Sequence, residues 1–312
     1  MSISAPENAA DAADAAVAAA AERQRRTGVL TGMASYALWG LFPLYFHALS
    51  PTTPVEILAH RVVWSFLGMM GLLTLRREWG WIAELRRDRA RLGRIWLAGV
   101  LLAINWLVYV WAVTADRVID ASLGYFVNPL VTVAMGVVLL GEHIRRGQAI
   151  ALGLGGVAVV VLAVGYGEVP WVALVLALSF GGYGFLKKQV ALEPVASLAA
   201  ETTIVFPAAL VWLGWQIGSG HATFGHHGTL LDAKLLALGI VTAVPLLLFG
   251  AATRRIPLVL IGLLQYITPW EQFLLGWLHF GEKMPPERFV GFVLIWAALV
   301  VLAIDAWRTA RA

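Results

Sequence analysis

A chain of 312 residues that is 60% hydrophobic and only 13% charged is far from an ordinary soluble domain, in which about 25% of residues are charged. Its apolar residues come in uninterrupted runs of about 20, the length a helix needs to cross roughly 30 Å of hydrocarbon, so the composition predicts an all-α polytopic membrane protein. The absence of cysteine excludes disulfides and thiolate metal sites, and the pI of about 9.6 reflects arginines in short loops rather than a nucleic-acid partner.

In chain order, Met1–Ala21 is Ala-rich with Glu7, Asp11 and Asp14. It lacks the basic start and apolar core of a signal peptide, so residues 1–27 are expected to form a disordered tail. Ten spans are expected next: Val29–Leu49, Val55–Leu75, Ile95–Thr114, Ile119–Leu140, Gly147–Val164, Pro170–Lys187, Val195–Ile217, Lys234–Ala252, Pro257–Phe280 and Arg288–Asp305. The seventh is the weakest, because Glu201 and Pro207 interrupt it. Lys and Arg alternate in density between the connecting segments. One side carries eighteen, from Arg23 and the Arg76–Arg94 run to Arg308 and Arg311, and the other four: Arg117, Lys234, Lys283 and Arg288. By the positive-inside rule both termini are cytoplasmic, in the plasma membrane.

The chain also repeats itself. Shifted by 140 residues, Gly124–Ala163 falls on Leu264–Ala303 without a gap, with ten of forty positions identical, among them Pro129/Pro269, Gly136/Gly276 and Gly141-Glu142/Gly281-Glu282. Two fused halves follow, residues 28–166 and 167–307, with residues 308–312 as a short tail. Five spans per half is an odd number, so the halves enter the membrane from opposite faces. Such inverted repeats place a binding site near the midplane, at discontinuous helices.

The residues able to carry chemistry are few. Asn128-Pro129 and Thr268-Pro269 lie mid-span, and each proline leaves a carbonyl four residues earlier without its donor, as a packing kink or as a hinge at a site. Asn105 lies among Trp106, Tyr109 and Trp111, and suits either a partly planar ligand or interhelical bonding. Gly28, Gly32, Gly181, Gly182 and Gly184 permit close helix approach. Gly141 and Gly281 end their helices. The Arg76–Arg94 run reads as a solvated loop, with anionic lipid as the alternative contact. His221, His226 and His227 share one loop without the carboxylate or thiol framework a metal needs. Three ionisable residues lie inside spans: Arg61, Glu201 and Glu271. At 1.5 Å per residue, Arg61 and Glu271 reach similar depths, about 6 Å and 4 Å from the midplane on one side. They are expected to form a charge pair that closes that side, the alternatives being a static bridge or two unrelated residues.

Several blocks together resemble the RarD subgroup of EamA-type transporters, in the drug/metabolite transporter superfamily. They are Ala34–Pro43 with Trp39-Gly40, Glu56–Trp64 with His60-Arg61, Asn105–Val113, Ala121–Pro129, Gly239–Pro245 and Gln265–Pro269. The resemblance runs from about Gly28 to Trp307. It implies ten helices in two inverted EamA repeats, a central cavity and secondary transport of small metabolites or drugs, with a link to chloramphenicol. Trp270-Glu271 departs from the apolar or small residues expected after that proline.

The reading that follows is a non-enzymatic, ATP-independent transporter working by alternating access. Trp39, Asn105, Trp106, Tyr109, Tyr125, Asn128, Gln265 and Thr268 would line the cavity, and Arg61, Glu271, Glu201, Pro129 and Pro269 would serve gating or coupling. Its partners would be a small-molecule substrate, the lipid bilayer and a coupling proton, with no cofactor, metal or nucleic acid, in a monomer or homodimer. An intramembrane lipid-modifying enzyme and a non-transporting scaffold are the alternatives. The enzyme would need a nucleophile, base or metal cluster that the sequence does not display.

Overall fold

A computed structural model of the chain describes residues 5–311 apart from 142 and 191, and the described residues form helices without a strand. The first helix, α1 (Ala5–Gly40), begins far upstream of the expected span. The expected disordered tail is thus helical from Ala5 on, in keeping with alanine's rank as the strongest helix former. The span also ends early. It breaks at Leu41, and a separate short helix α2 (Phe42–His47) follows, because Pro43 in its first turn has no N–H to continue α1.

The remaining helices are α3 (Pro54–Arg76), α4 (Gly80–Arg87), α5 (Arg89–Thr114), α6 (Val118–Leu140), α7 (Arg146–Tyr166), α8 (Trp171–Val190), α9 (Pro194–Gly218) and α10 (Thr229–Thr253). After them come α11 (Leu258–Leu264), α12 (Ile267–Leu274), a π-helical turn Leu275–His279 and α13 (Pro286–Arg311). Among the described residues eight helices are long and apolar enough to cross a membrane, α8 supplies a shorter apolar span, and the ninth expected span is the broken run α11–α12–π turn. Thr53 caps α3, its hydroxyl accepting from the Glu56 N–H, and Pro54 follows at the first helical position. The Arg76–Arg94 stretch is not all loop, since α4 lies within it. Pro207 sits inside a continuous α9, so the weakest expected span forms unbroken.

The two mid-span prolines behave differently. Pro129 is carried inside continuous α6, whereas the ninth span stops at Gln265, four residues before Pro269, where the proline has removed the carbonyl's donor. Gly141 and Gly281, at φ of 65° and 68°, close their helices in the left-handed region that favours glycine. Glu142 lies outside the described residues.

Packing follows the 140-residue shift. Helix α8 lies against α5 and α6, and its counterpart α1 lies against the equivalent pair, α10 and α12. Helix α3 packs on α9, α7 on α13 and α6 on α12, and each of these pairs maps onto itself under the shift. The bundle is therefore built on two triads, α5–α6–α8 and α1–α10–α12, each mixing both halves of the chain. Helix α3 joins the second triad through α10, and α9 joins the first through α5. Glycines set these last two contacts. A Cβ on Gly99 would stand 2.7 Å from the Glu201 carbonyl oxygen, and one on Gly239 would stand 2.6 Å from that of Trp64. These two glycines are themselves 140 residues apart, and only a residue without a side chain lets backbone approach backbone so closely. Gly28, Gly32, Gly181 and Gly182 also face close neighbours, while Gly184 faces open space.

Candidate functional site

Three of the residues expected to line a cavity, Trp39, Tyr109 and Tyr125, meet where the two triads touch. Tyr109 from α5 packs in one apolar cluster with Phe42 and Phe46 of α2, and Trp39 and Tyr125 flank it. The Tyr109 ring lies 5.7 Å from that of Tyr125 and 5.9 Å from that of Phe46. Its hydroxyl accepts a 2.8 Å hydrogen bond from Gln272 Nε2, which links α12 of one triad to α5 of the other.

Several polar side chains singled out by sequence hold helices together. Asn105 is 1% exposed, and its Nδ2 donates to the Leu176 carbonyl at 3.1 Å and to Ser179 Oγ at 3.0 Å, tying α5 to α8. Tyr125 OH donates to Asn105 Oδ1 at 3.4 Å. Asn128 Nδ2 reaches the Ala177 carbonyl at 3.2 Å, and its counterpart Thr268 donates to the Tyr36 carbonyl at 2.7 Å. Each residue before a mid-span proline thus binds the opening helix of the other half. Gln265 sits half-buried at the break between α11 and α12.

Arg61 and Glu271 do not form the expected pair. Arg61 is 4% exposed, its guanidinium carbon 4.0 Å from the Trp106 ring centroid, and its Nε donates to Thr242 Oγ1 at 3.2 Å. Glu271 instead backs onto α1, where a Cβ on Gly40 would collide with Glu271 Oε2. Similar depth did not bring the two charges together, because they point to different neighbours. Burying a charge in the bilayer costs about 2.5–3.5 kcal/mol on insertion scales. A desolvated cation–π contact returns roughly 2 kcal/mol, and an interhelical hydrogen bond about 0.6 kcal/mol. The two partners together offset most of that cost without a counter-ion.

Glu201, 2% exposed, is fully engaged. It accepts from Ser197 Oγ at 2.6 Å, Tyr183 OH at 3.0 Å and Lys187 Nζ at 3.1 Å, and so links α9 to α8. Sequence reasoning placed Glu201 in its span but missed these three donors, as it missed Gln272, Phe42, Phe46 and Thr242. The signal for Gln272 was present: it is a second polar residue in the ninth span, next to Glu271.

On the face opposite the termini, a cavity of about 870 Å³ is lined by His47, Asp120, Arg117, Glu282, Lys283 and Arg288, among others. Arg117 Nε donates to Asp120 at 2.7 Å, and Arg288 donates to its other oxygen, so one carboxylate is shared by two guanidiniums. Glu282 ties the halves together here by accepting from the N–H groups of Val118 and Ile119, the latter at 3.0 Å, at the start of α6. Burial pushes its carboxyl up to about 7, against the pull of those two N–H groups and of Arg288.

A polytopic helical bundle with one span broken near its middle and an aromatic seam fits the architecture of a membrane transport protein. The comparisons agree. Residues 26–164 match the EamA-like transporter family. The RarD protein of Streptomyces exfoliatus is 52% identical over 93% of this chain and 92% of its own. The RarD protein of Escherichia coli K12 is 39% identical over 93% of this chain and 98% of its own. A solved crystal structure aligns with 91% of this chain and 99% of its own at a TM-score of 0.56, and at 18% identity it speaks for the fold alone. The chain belongs to the RarD subgroup of the EamA-type transporters, within the drug/metabolite transporter superfamily.

Proposed function

We propose that this protein is a secondary transporter of small metabolites or drugs that works by alternating access, with chloramphenicol-related efflux as one activity to test. The observation that carries the reading is the pairing of two mixed triads across a seam bridged by few polar links, Gln272 to Tyr109 foremost among them. In this reading the two halves are inverted repeats, exchange of their packing gives two shapes, and the substrate site lies at the seam. Trp39, Trp106, Tyr109 and Tyr125 supply its walls. The face carrying the termini is cytoplasmic, by its surplus of Lys and Arg.

The chain's lack of cysteine makes the test direct. Pairs of spin labels are introduced at the two faces, one label on each triad, in protein reconstituted into sealed vesicles. Alternating access requires that solutes be translocated without ATP, and that the label distance at one face grow as the distance at the other shrinks. Vesicles that pass no solute, or distances that change together at both faces, exclude the mechanism.

A further inference from the structure

The seam holds a cation without an anion. Arg61 is buried, yet it belongs to none of the ion pairs among the described residues. Its Nε is held by Thr242, but its Nη1 is buried with no acceptor. Aromatic rings surround it: Trp106 at 4.0 Å, Phe42 at 5.4 Å and Phe46 at 5.7 Å from the guanidinium carbon. The phenols of Tyr109 and Tyr125 lie within its electrostatic reach. A guanidinium resting on a ring face keeps its N–H groups in its own plane, where they can meet a carboxylate in a forked geometry.

The cage is also built to open. Trp106 stands on α5 of one triad and Thr242 on α10 of the other, while Phe42 and Phe46 stand on α2, which touches both α1 and α5. Any rearrangement that parts the triads uncovers Arg61 first on its Trp106 side. It does so next to aromatic surface that can cover an apolar body.

We propose that Arg61 recognises the anionic group of the substrate, and that the substrate is an organic monoanion, a carboxylate carrying a planar apolar body held by Trp106, Phe42, Phe46 and Tyr109. A monoanion fits better than a phosphate. A dianion would bring a second negative charge to a guanidinium whose described neighbours are Thr242, Trp106, Phe42, Phe46 and two phenols, none of them basic. This inference rests on the seam being a transport site, and it narrows what that site accepts.

The test uses the full chain in lipid nanodiscs and three probes of one shape: 3-phenylpropionate, its neutral amide and 3-phenylpropylamine. Binding is read by quenching of tryptophan fluorescence, and flux of the same probes is read in sealed vesicles. The carboxylate is expected to bind saturably and at least tenfold more tightly than the amide, with the amine weakest. Arg61→Gln should abolish that preference. Arg61→Lys keeps the charge but loses the fork, and should retain part of the preference, which guards against a variant that fails to fold. Equal affinity for carboxylate and amide, a preference surviving Arg61→Gln, or no binding by any probe overturns the proposal. Arg61-dependent binding without flux would leave the anion site standing and remove the transport reading. Flux of the amide indifferent to Arg61 would do the reverse.

Discussion

The Lys187–Glu201 pair offers a measurement in which sign and size both follow from burial. Glu201 is 2% exposed, while the Lys187 side chain retains 28% of its exposure. Truncating the two ends should therefore differ. Lys187→Met strands a carboxylate between helices, and breaking a buried pair in this way costs about 3–5 kcal/mol. Glu201→Gln leaves an oxygen for the Ser197 and Tyr183 hydroxyls, and the lysine can turn toward water. That loss is about that of one charge-assisted hydrogen bond, roughly 1.5–3 kcal/mol. Lys187→Met with Glu201→Gln removes both charges, so the double variant should be more stable than Lys187→Met alone. At about 2 °C per kcal/mol for a chain of this size, Lys187→Met should melt some 6 °C or more below the parent. The assay is the unfolding midpoint by tryptophan fluorescence in detergent, for the parent, both single variants and the double variant. A Lys187→Met no less stable than Glu201→Gln, or a double variant less stable than Lys187→Met, would refute the reasoning.

Other expectations follow from single contacts. Gly40→Ala places a methyl group against Glu271 and should destabilise by about 1–3 kcal/mol, with Glu271→Ala in the same chain partly restoring the midpoint. Gln272→Leu removes the bridge to Tyr109, and should cost about 0.6–1.7 kcal/mol and quicken amide exchange in α12. Glu282 gives a pH signature. Its carboxyl is raised from 4.5 to about 7 by burial, so its contribution is fully present below pH 4.5 and is lost as pH rises through 7. Glutamine stays neutral throughout, so the melting midpoint of the parent should fall relative to that of Glu282→Gln between pH 4 and 8, and a constant difference would contradict the assignment.

The spans were legible because each is long, apolar and bounded by charges or turns, and Pro129/Pro269 with the two Gly-Glu steps exposed the duplication. What stayed hidden was azimuth. Rise per residue gives a depth for Arg61 and Glu271, but the direction a side chain takes depends on which helix lies beside it. No spacing in the sequence announces that α5 brings Trp106 over Arg61. Asn105 shows the same limit from the other side. Its burial among aromatics was readable, while its partners, the Leu176 carbonyl and Ser179, come from a helix seventy residues away whose approach only packing decides. The π turn at Leu275–His279 leaves no local signal at all, and the tail's helix follows from alanine content that also fits a disordered reading.

The crossing of helices between halves constrains how the chain is made. Because α8 completes the triad begun by α5 and α6, and α1 waits for α10 and α12, neither half can bury its own contact surfaces when it leaves the ribosome. Residues 1–166 must persist in the bilayer as a half-clasped intermediate until the rest of the chain arrives. A chain with only one such half could satisfy these contacts only by meeting a second copy of itself. Biogenesis of this protein is thus an assembly reaction made intramolecular by the short link between α7 and α8, and lengthening that link should slow maturation before it alters the finished fold.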